Sequence, residues 1–346
     1  MDEQRRIIVA GGGIGGVEAA LTLAIGLPDA KVTLISRGDS IRVLPDLVYV
    51  PFGLSVKEIE IPLSRLSEFG IEVIIDDVRQ IDAPTRQVLT EAGPLQYDVL
   101  LAAPGAQSGE HAGAALRTAA DARRVRDQLA TLVSEARDGA RRSITIDVSA
   151  ENAWSAPAAE FSVLLGAWLK AVGVADRVEV LFATEDREPF EWFGPEASDI
   201  VNEALKRYDI KIASSIPPGH AANLGGDLMV SFGSLEPRTI NGLPGRSPDG
   251  WYVTDEHNAV DENVYVIGDA TKLAYRSAFA TAWEARRVLI ALGGSHEALG
   301  ETIGGVPSHA VEFEMDLVDA VMEARIGRAD ALASPFLGRD ADIQLH

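Results

Sequence analysis

The chain contains no cysteine. That absence excludes disulfide frameworks, thiolate zinc sites, cysteine-ligated iron–sulfur clusters, CxxC redox couples and every cysteine nucleophile. Positive charge is scarce as well: 31 Lys and Arg stand against 52 Asp and Glu, a formal net charge of -21. Such a surface repels polyanions, so neither a nucleic acid nor an anionic membrane is expected as the main partner. No run reaches the roughly 18 apolar residues needed to span a bilayer. The most apolar stretch, 161–175, is broken by Ser162, Gly166, Lys170 and Gly173. Met1 to Arg6 mix acids and bases and lack the apolar core of a secretory signal, so a cytoplasmic protein is expected. His111, His220, His257, His296, His309 and His346 show neither the i,i+4 pairing nor the carboxylate spacing of a metal site, and none is expected. Ser247, in Gly245-Arg246-Ser247-Pro248-Asp249-Gly250, fails the GxSxG elbow of serine hydrolases. The arginines at 123, 124 and 126 read as a solvated helix face.

What is present is apolar and regularly spaced. The 346 residues are 47% hydrophobic, enough core for about two domains. The opening reads strand (Arg6 to Ala10), glycine turn (Gly11 to Gly16), helix (Ile14 to about Gly26) and strand (Lys31 to Ile35), a βαβ unit. Short runs rich in Val, Ile and Leu follow at Ile71 to Ile75, Val99 to Ala103, Ser143 to Val148, Val178 to Phe182, Leu228 to Phe232 and Val264 to Ile267, as buried parallel strands require. Helical patterns at Asp121 to Arg137, Ala158 to Val172, Glu196 to Tyr208 and Tyr275 to Leu292 alternate with them, which gives an α/β class. A second βαβ-like unit begins at Ser143, so two Rossmann-like units share the chain. After Glu301 the pattern fits a strand over Val311 to Leu317 and a helix over Leu317 to Met322 equally well.

Gly11, Gly13 and Gly16 satisfy GxGxxG directly after a strand and at the head of a helix. The first glycine permits the tight turn, the second lets backbone N–H groups approach a pyrophosphate, and the third lets helix and strand pack closely. Ile14 and Gly15 belong to the same turn. About 20 residues on, where an acid usually meets a ribose, stand Ser36 and Arg37. A serine can hydrogen-bond a hydroxyl and an arginine can stack on adenine or meet a 2′-phosphate, so this segment alone does not separate FAD from NADP. A strand ending in Gly268-Asp269-Ala270 does separate them, because in this order it is similar to the second FAD motif of two-dinucleotide-binding-domain flavoproteins. There the aspartate bonds the ribitol chain. Between the two motifs, Tyr97 to Ala106 resembles the strand of the same family that ends in A-T-G, with Ala103-Pro104-Gly105 in its place.

Within that superfamily of FAD-dependent pyridine nucleotide-disulfide oxidoreductases, the chain resembles the branch of sulfide:quinone oxidoreductases, flavocytochrome c sulfide dehydrogenases and type II NADH dehydrogenases. The likeness rests on Val32 to Ser36, on Pro45-Asp46-Leu47 with Val50-Pro51-Phe52-Gly53, and on Ala156-Pro157-Ala158-Ala159-Glu160-Phe161. It implies two Rossmann-like three-layer domains: an FAD domain built from 1–106 and 245–300, a degenerate NAD(P)H-type domain at 107–244, and a C-terminal extension at 301–346. It implies FAD as cofactor, with Pro45 and Val78 joining the glycine turn, Ser36, Arg37, the Ala103-Pro104-Gly105 turn and Gly268-Asp269-Ala270 as binding residues. Glu160 is implied as an acid that relays protons to a bound substrate; as a first-turn helix acid it would instead serve stability. Trp154, Trp192, Phe193 and Phe279 are candidates for an aromatic substrate wall or for ordinary core.

Two departures narrow the expectation. The persulfide-holding cysteines of the sulfide enzymes are missing, so sulfide oxidation by that route is excluded. The second unit reads Asp147 to Pro157 without a glycine and with an added carboxylate at Glu151, so a standard nicotinamide site is not expected. Three readings stand: two-electron transfer between a small organic or quinone-like substrate and a second acceptor through FAD; NAD(P)H:acceptor reduction at an atypical site; and a flavin-binding partner or sensor without turnover. A homodimer is compatible with each.

Overall fold

The computed structural model describes residues 4–109, 111, 113–148, 155–191, 194–272 and 278–295. Its main elements, in chain order, are β1 (Arg6–Ala10), α1 (Ile14–Gly26), β2 (Lys31–Ser36), β3 (Glu72–Ile75), β4 (Val99–Ala102), β5 (Ala114–Ala115), α2 (Ala119–Arg137), β6 (Arg142–Val148), α3 (Ser155–Ala171), β7 (Val178–Thr184), α4 (Pro195–Arg207), β8 (Lys211–Ala213), β9 (Leu228–Ser231), β10 (Ala259–Asp261), β11 (Val264–Val266) and α5 (Ala278–Ala291). Among the described residues the chain divides into two compact units: one of 4–43, 60–107 and 236–295, the other of 44–59 and 108–235. The stretch 44–59 therefore belongs with the middle of the chain, and the return crossing lies at 235–236, ahead of the 244–245 boundary that the resemblance implies.

The first unit is built on a six-stranded sheet in the order β10-β11-β4-β1-β2-β3. All neighbours are parallel except β10, which runs antiparallel to β11. Side chains of a strand alternate between faces, and both faces of this sheet are covered. Ile7, Val9, Leu34 and Leu101 pack with Ala19 and Leu23 of α1 and with Val288 and Leu289 of α5. Ile8, Ala10, Ile35, Leu100 and Val266 pack on the other side with Ile81, Val88 and Tyr97, which come from or adjoin a three-stranded antiparallel sheet of Val78–Asp82, Gln87–Thr90 and Pro94–Gln96. Burial on both sides explains why these strands are apolar without alternation. Each fully buried Ile or Leu contributes about 1.5–3 kcal/mol.

The second unit holds a five-stranded parallel sheet in the order β5-β9-β6-β7-β8. Helix α2 starts two residues ahead of the expected Asp121, because Thr118 closes a capping box: its hydroxyl accepts from the Asp121 N–H at 3.1 Å while the Asp121 carboxylate accepts from the Thr118 N–H at 2.8 Å. Helix α3 is buried at every position from Pro157 to Leu169. It packs on β6, β7 and α4, and against the 3-10 segment Leu44–Phe52. Phe52 lies 5.4 Å from the Phe161 ring and 5.8 Å from Trp168, and Phe161 lies 5.7 Å from Phe232. These rings link α3 to the Leu44–Phe52 segment and to the end of β9. Among the described residues, no helix is long and apolar enough to cross a membrane.

Candidate functional site

In the first unit, three turns gather at the carboxyl ends of adjacent strands. The glycine turn follows β1, Ala103-Pro104-Gly105 follows β4, and Gly268-Asp269-Ala270 follows β11. Register aligns their approaches: Ala10 pairs with Ala102, which pairs with Val266. Backbone hydrogen bonds tie the exits, from Ala103 N to Ala10 O at 2.8 Å and from Ile267 N to Ala102 O at 3.0 Å. This is the crevice side of an open α/β sheet, where ligands bind.

The glycines of the first turn divide by what packing demands. Gly11 has φ +126, and a Cβ there would lie 2.3 Å from the Ala103 carbonyl oxygen; one on Gly16 would lie 1.6 Å from that of Gly11. Both are glycine because the strands and helix leave no room. A Cβ on Gly13 would meet nothing within 4 Å. Its φ of -82 suits any residue, so no protein contact explains this glycine, whereas close approach of a ligand backbone does. Gly13 is also the N-cap of α1 and gives no side-chain cap, and the first turn carries no acid. The leading N–H groups of α1 and its positive dipole end are thus presented together at open space, a setting for a phosphate. Gly15 faces the Thr281 methyl at 2.9 Å from its notional Cβ, and Ile14 packs against the core.

Ser36, at the end of β2, is buried, and its hydroxyl donates to the Gly38 carbonyl at 2.7 Å and accepts from the Gly38 N–H at 3.3 Å. The hydroxyl proton expected for a ribose is thus engaged by its own turn, leaving the oxygen as an acceptor. Its oxygen also sits 2.0 Å from where a Gly12 Cβ would be, so serine fills the space above the turn. Arg37 is exposed. Val78 is half-buried and opens the antiparallel strand Val78–Asp82. Pro45 lies in the segment Leu44–Phe52, which belongs to the second unit.

The third turn rests on a residue that the motif reading missed. Gly268 has φ +78 and Ala270 is fully buried. Glu284 of α5, 1% exposed, accepts from the Gly268 N–H at 2.6 Å. Its other oxygen accepts from Asn258 Nδ2 at 2.9 Å, with the Thr271 hydroxyl at 3.2 Å. Burial pushes its carboxyl up to about 7, against the opposing pull of these donors and of the Arg287 charge. A signal existed in the sequence: Thr281, Glu284 and Val288 follow helical spacing, so Glu284 is an acid on the apolar stripe of its helix.

In the second unit, Glu160 is 1% exposed and accepts a hydrogen bond from the Tyr49 hydroxyl, itself 4% exposed. The expectation that Glu160 sits in the first turn of its helix is corrected. The helix begins at Ser155 with no acid in its first turn, so the terminal dipole does not account for this residue. At the carboxyl end of the sheet, the buried Asp147 of β6 accepts from the Ser231 hydroxyl of β9 at 3.0 Å. The nearby depression lined by Ser108, Arg117, Ser231 and Ser234 has a volume of about 10 Å³, room for about one water. Glu151, Trp154, Trp192, Phe193, the side chain of Phe279 and the extension 301–346 lie outside the described residues. No group of three or more potential metal-binding side chains occurs among those described.

No protein-family model matches the chain. The sulfide-quinone reductase of Aquifex aeolicus strain VF5 is 29% identical over 191 residues, covering 53% of this chain and 43% of that protein. The chain thus matches less than half the length of this curated relative. Among solved structures, the sulfide:quinone oxidoreductase from Aquifex aeolicus superposes with a TM-score of 0.72 at 20% identity, over 84% of this chain and 76% of that one. An NAD-dependent persulfide reductase from A. fulgidus gives 0.61 at 18% identity, covering 84% and 60%. NDH2 from Plasmodium falciparum in complex with NADH gives 0.58 at 16%, covering 78% and 65%. With the glycine turn after β1 and parallel sheets in both units, the chain is similar in sequence over 191 residues to a sulfide-quinone reductase and shares the fold of the solved sulfide:quinone oxidoreductase.

Proposed function

We propose that the protein is an FAD-dependent oxidoreductase that moves two electrons between a small organic or quinone-like substrate and a second acceptor. The observation that carries this reading is Gly13: no protein atom requires a glycine there, yet it stands at the uncapped head of α1 between β1 and the Ala103 and Gly268 turns. The N–H groups that follow Gly13 suit a pyrophosphate, and Asp269, one residue beyond the positive-φ glycine, suits a ribitol hydroxyl. A nicotinamide dinucleotide has no ribitol, which favours FAD. Bound there, FAD would supply the two-electron redox chemistry.

The chain's own residues orient that cofactor and manage protons. Glu160 with Tyr49 forms a buried acid–hydroxyl couple, and we assign Glu160 as the residue that exchanges a proton with substrate. Persulfide chemistry on cysteines of this chain is excluded, since it has none. Nicotinamide reduction is disfavoured by the Asp147–Ser231 pair, which sets a carboxylate at the carboxyl edge of the second sheet where an incoming pyrophosphate would need donors.

The test is direct. The purified protein should be yellow, release FAD on denaturation as identified by mass, and keep its visible spectrum during anaerobic addition of NADH or NADPH. A colourless protein holding only nicotinamide would overturn the cofactor assignment. Full bleaching by either nucleotide within about a second would replace this reading with NAD(P)H:acceptor reduction.

A further inference from the structure

We propose that Glu284 is a positioning residue for the flavin: its carboxylate sets the Gly268–Asp269 turn through the Gly268 N–H, so that flavin retention depends on Glu284 acting through Asp269. This rests on the reading of the first unit as an FAD site. Gly268 N–H at 2.6 Å and Asn258 Nδ2 at 2.9 Å point hydrogens at separate oxygens of one buried carboxylate, and the Thr271 hydroxyl, which also bonds the Gly268 carbonyl at 2.9 Å, lies 3.2 Å from it. Only a group with acceptors alone matches them; glutamine would turn an NH2 toward a donor. A buried carboxylate is costly, and a turn needing only closure could be closed by neutral groups.

The contacts also show what is being held. Asn258 sits at φ +66 in the loop ahead of β10, Thr271 follows the turn, and Gly268 at φ +78 precedes Asp269. Glu284 therefore ties α5 to the segments before and after Asp269. The bond to Gly268 orients the peptide that leads into that residue. Thr281, one helical turn earlier on α5, lies against both Gly15 and Gly268, so the same helix face meets the first and third turns.

Among the described residues, the charges that bear on Glu284 come from its own helix and from α1. Arg287 of its own helix exerts an opposing positive charge. Helix α1, packed on α5, brings Glu18, whose charge acts on Arg286. The loops supply the neutral donors Asn258, Thr271 and Gly268, and Asp269 is the acid that follows. Protonation of Glu284 removes the charge that strengthens the bonds from the Gly268 N–H and Asn258 Nδ2 and so loosens the hold on the turn. Flavin release should therefore quicken as pH falls through neutrality.

The experiment follows flavin release from the holoprotein by the rise in flavin fluorescence, for the wild type, Glu284→Gln, Asp269→Ala and the double variant, at pH values from 5.5 to 8.5. Glu284→Gln should speed release about tenfold at pH 8 and abolish the pH step, and Asp269→Ala should speed it about tenfold or more. The double variant should match Asp269→Ala within about twofold, since two residues acting through one contact do not add. Multiplying effects, or wild-type release from Glu284→Gln, would overturn the proposal. Should Glu284→Gln fail to fold, Thr271→Val removes the hydroxyl that touches both this carboxylate and the Gly268 carbonyl. It should speed release a few-fold in the wild type and leave the Asp269→Ala rate unchanged; an equal effect in both backgrounds would overturn the proposal. A wild type that neither carries nor takes up FAD would instead refute the FAD reading itself, and this inference with it.

Discussion

At the scale of single residues, Glu160 and Glu284 are each only 1% exposed, and each meets a defined donor. Tyr49→Phe removes the donor to Glu160 while keeping the ring. It should cost about 1–3 kcal/mol of stability, the worth of one buried hydrogen bond to an acid, measured as a shift in the denaturant midpoint. If Glu160 exchanges a proton with substrate, Glu160→Gln should retain flavin yet slow turnover by about 10²–10⁴-fold. Normal turnover in Glu160→Gln, with only a lowered midpoint, would leave the pair as packing. Neither partnership was visible in the sequence. Tyr49 and Glu160 stand 111 positions apart, and a tyrosine in a proline-containing loop carries no mark of its partner. Glu284 was hidden for another reason: an acid on a helix is usually solvated, and only its place on the apolar stripe betrays it.

At the scale of elements, the strands were legible because burial on both faces writes itself as unbroken Val, Ile and Leu, and the β1–turn–α1 unit because its glycines stand where geometry needs them. Helix starts were less legible. The capping box at Thr118 moved α2 forward, and α3 begins at Ser155, ahead of the apolar run at Ala158 that marked it. The glycine turn yields a sharp contrast. Gly16→Ala drives a methyl onto the Gly11 carbonyl and should destabilise the unit by several kcal/mol, given overpacking costs of about 1–3 kcal/mol even in milder cases. Gly13→Ala meets no protein atom and should change the stability of the flavin-free protein by no more than about 1 kcal/mol, while lowering flavin affinity about tenfold or more. Calorimetry of the flavin-free variants, beside flavin titration, tests both. Equal flavin binding by Gly13→Ala and wild type would mean that the space above the turn is not where the cofactor lies.

For the molecule as a whole, acidity and pH act together. The net charge of -21 opposes compaction at neutral pH and fades toward the isoelectric point near 4.7. Glu284 works in the same direction. Its carboxyl is raised from the ordinary 4.5 to about 7 by burial, so the folded state holds its proton more tightly than the unfolded one. The stability this brings is complete below about pH 4.5 and is lost as pH rises through 7, an effect on the order of 3 kcal/mol. Asp98 acts oppositely at the acid end. Arg6 holds it down to about 2, so its contribution is present above 3.8 and lost as pH falls through 2. Being more than a third exposed, that pair contributes at most about 1 kcal/mol. The flavin-free wild type should therefore lose melting temperature between pH 5 and 8, and Glu284→Gln should lose clearly less over the same range. Parallel pH curves for the two would show that Glu284 does not carry the difference.

The stretch 44–59 has a consequence for how the chain is made. It leaves the first unit through Ser40–Arg42 and returns through Glu60–Pro62, strands that pair with each other and close the neck of the excursion. Its packing partners, α2 and α3, lie at 119–137 and 155–171. On a ribosome adding about 5–20 residues each second, Tyr49, Val50 and Phe52 wait on the order of ten seconds before the helices that bury them exist. The first unit waits longer still, because β11 and α5 are made last of its parts. During synthesis the nascent chain thus carries an apolar loop on a half-built sheet, an inviting target for a chaperone, and neither unit can finish folding as an uninterrupted N-terminal piece.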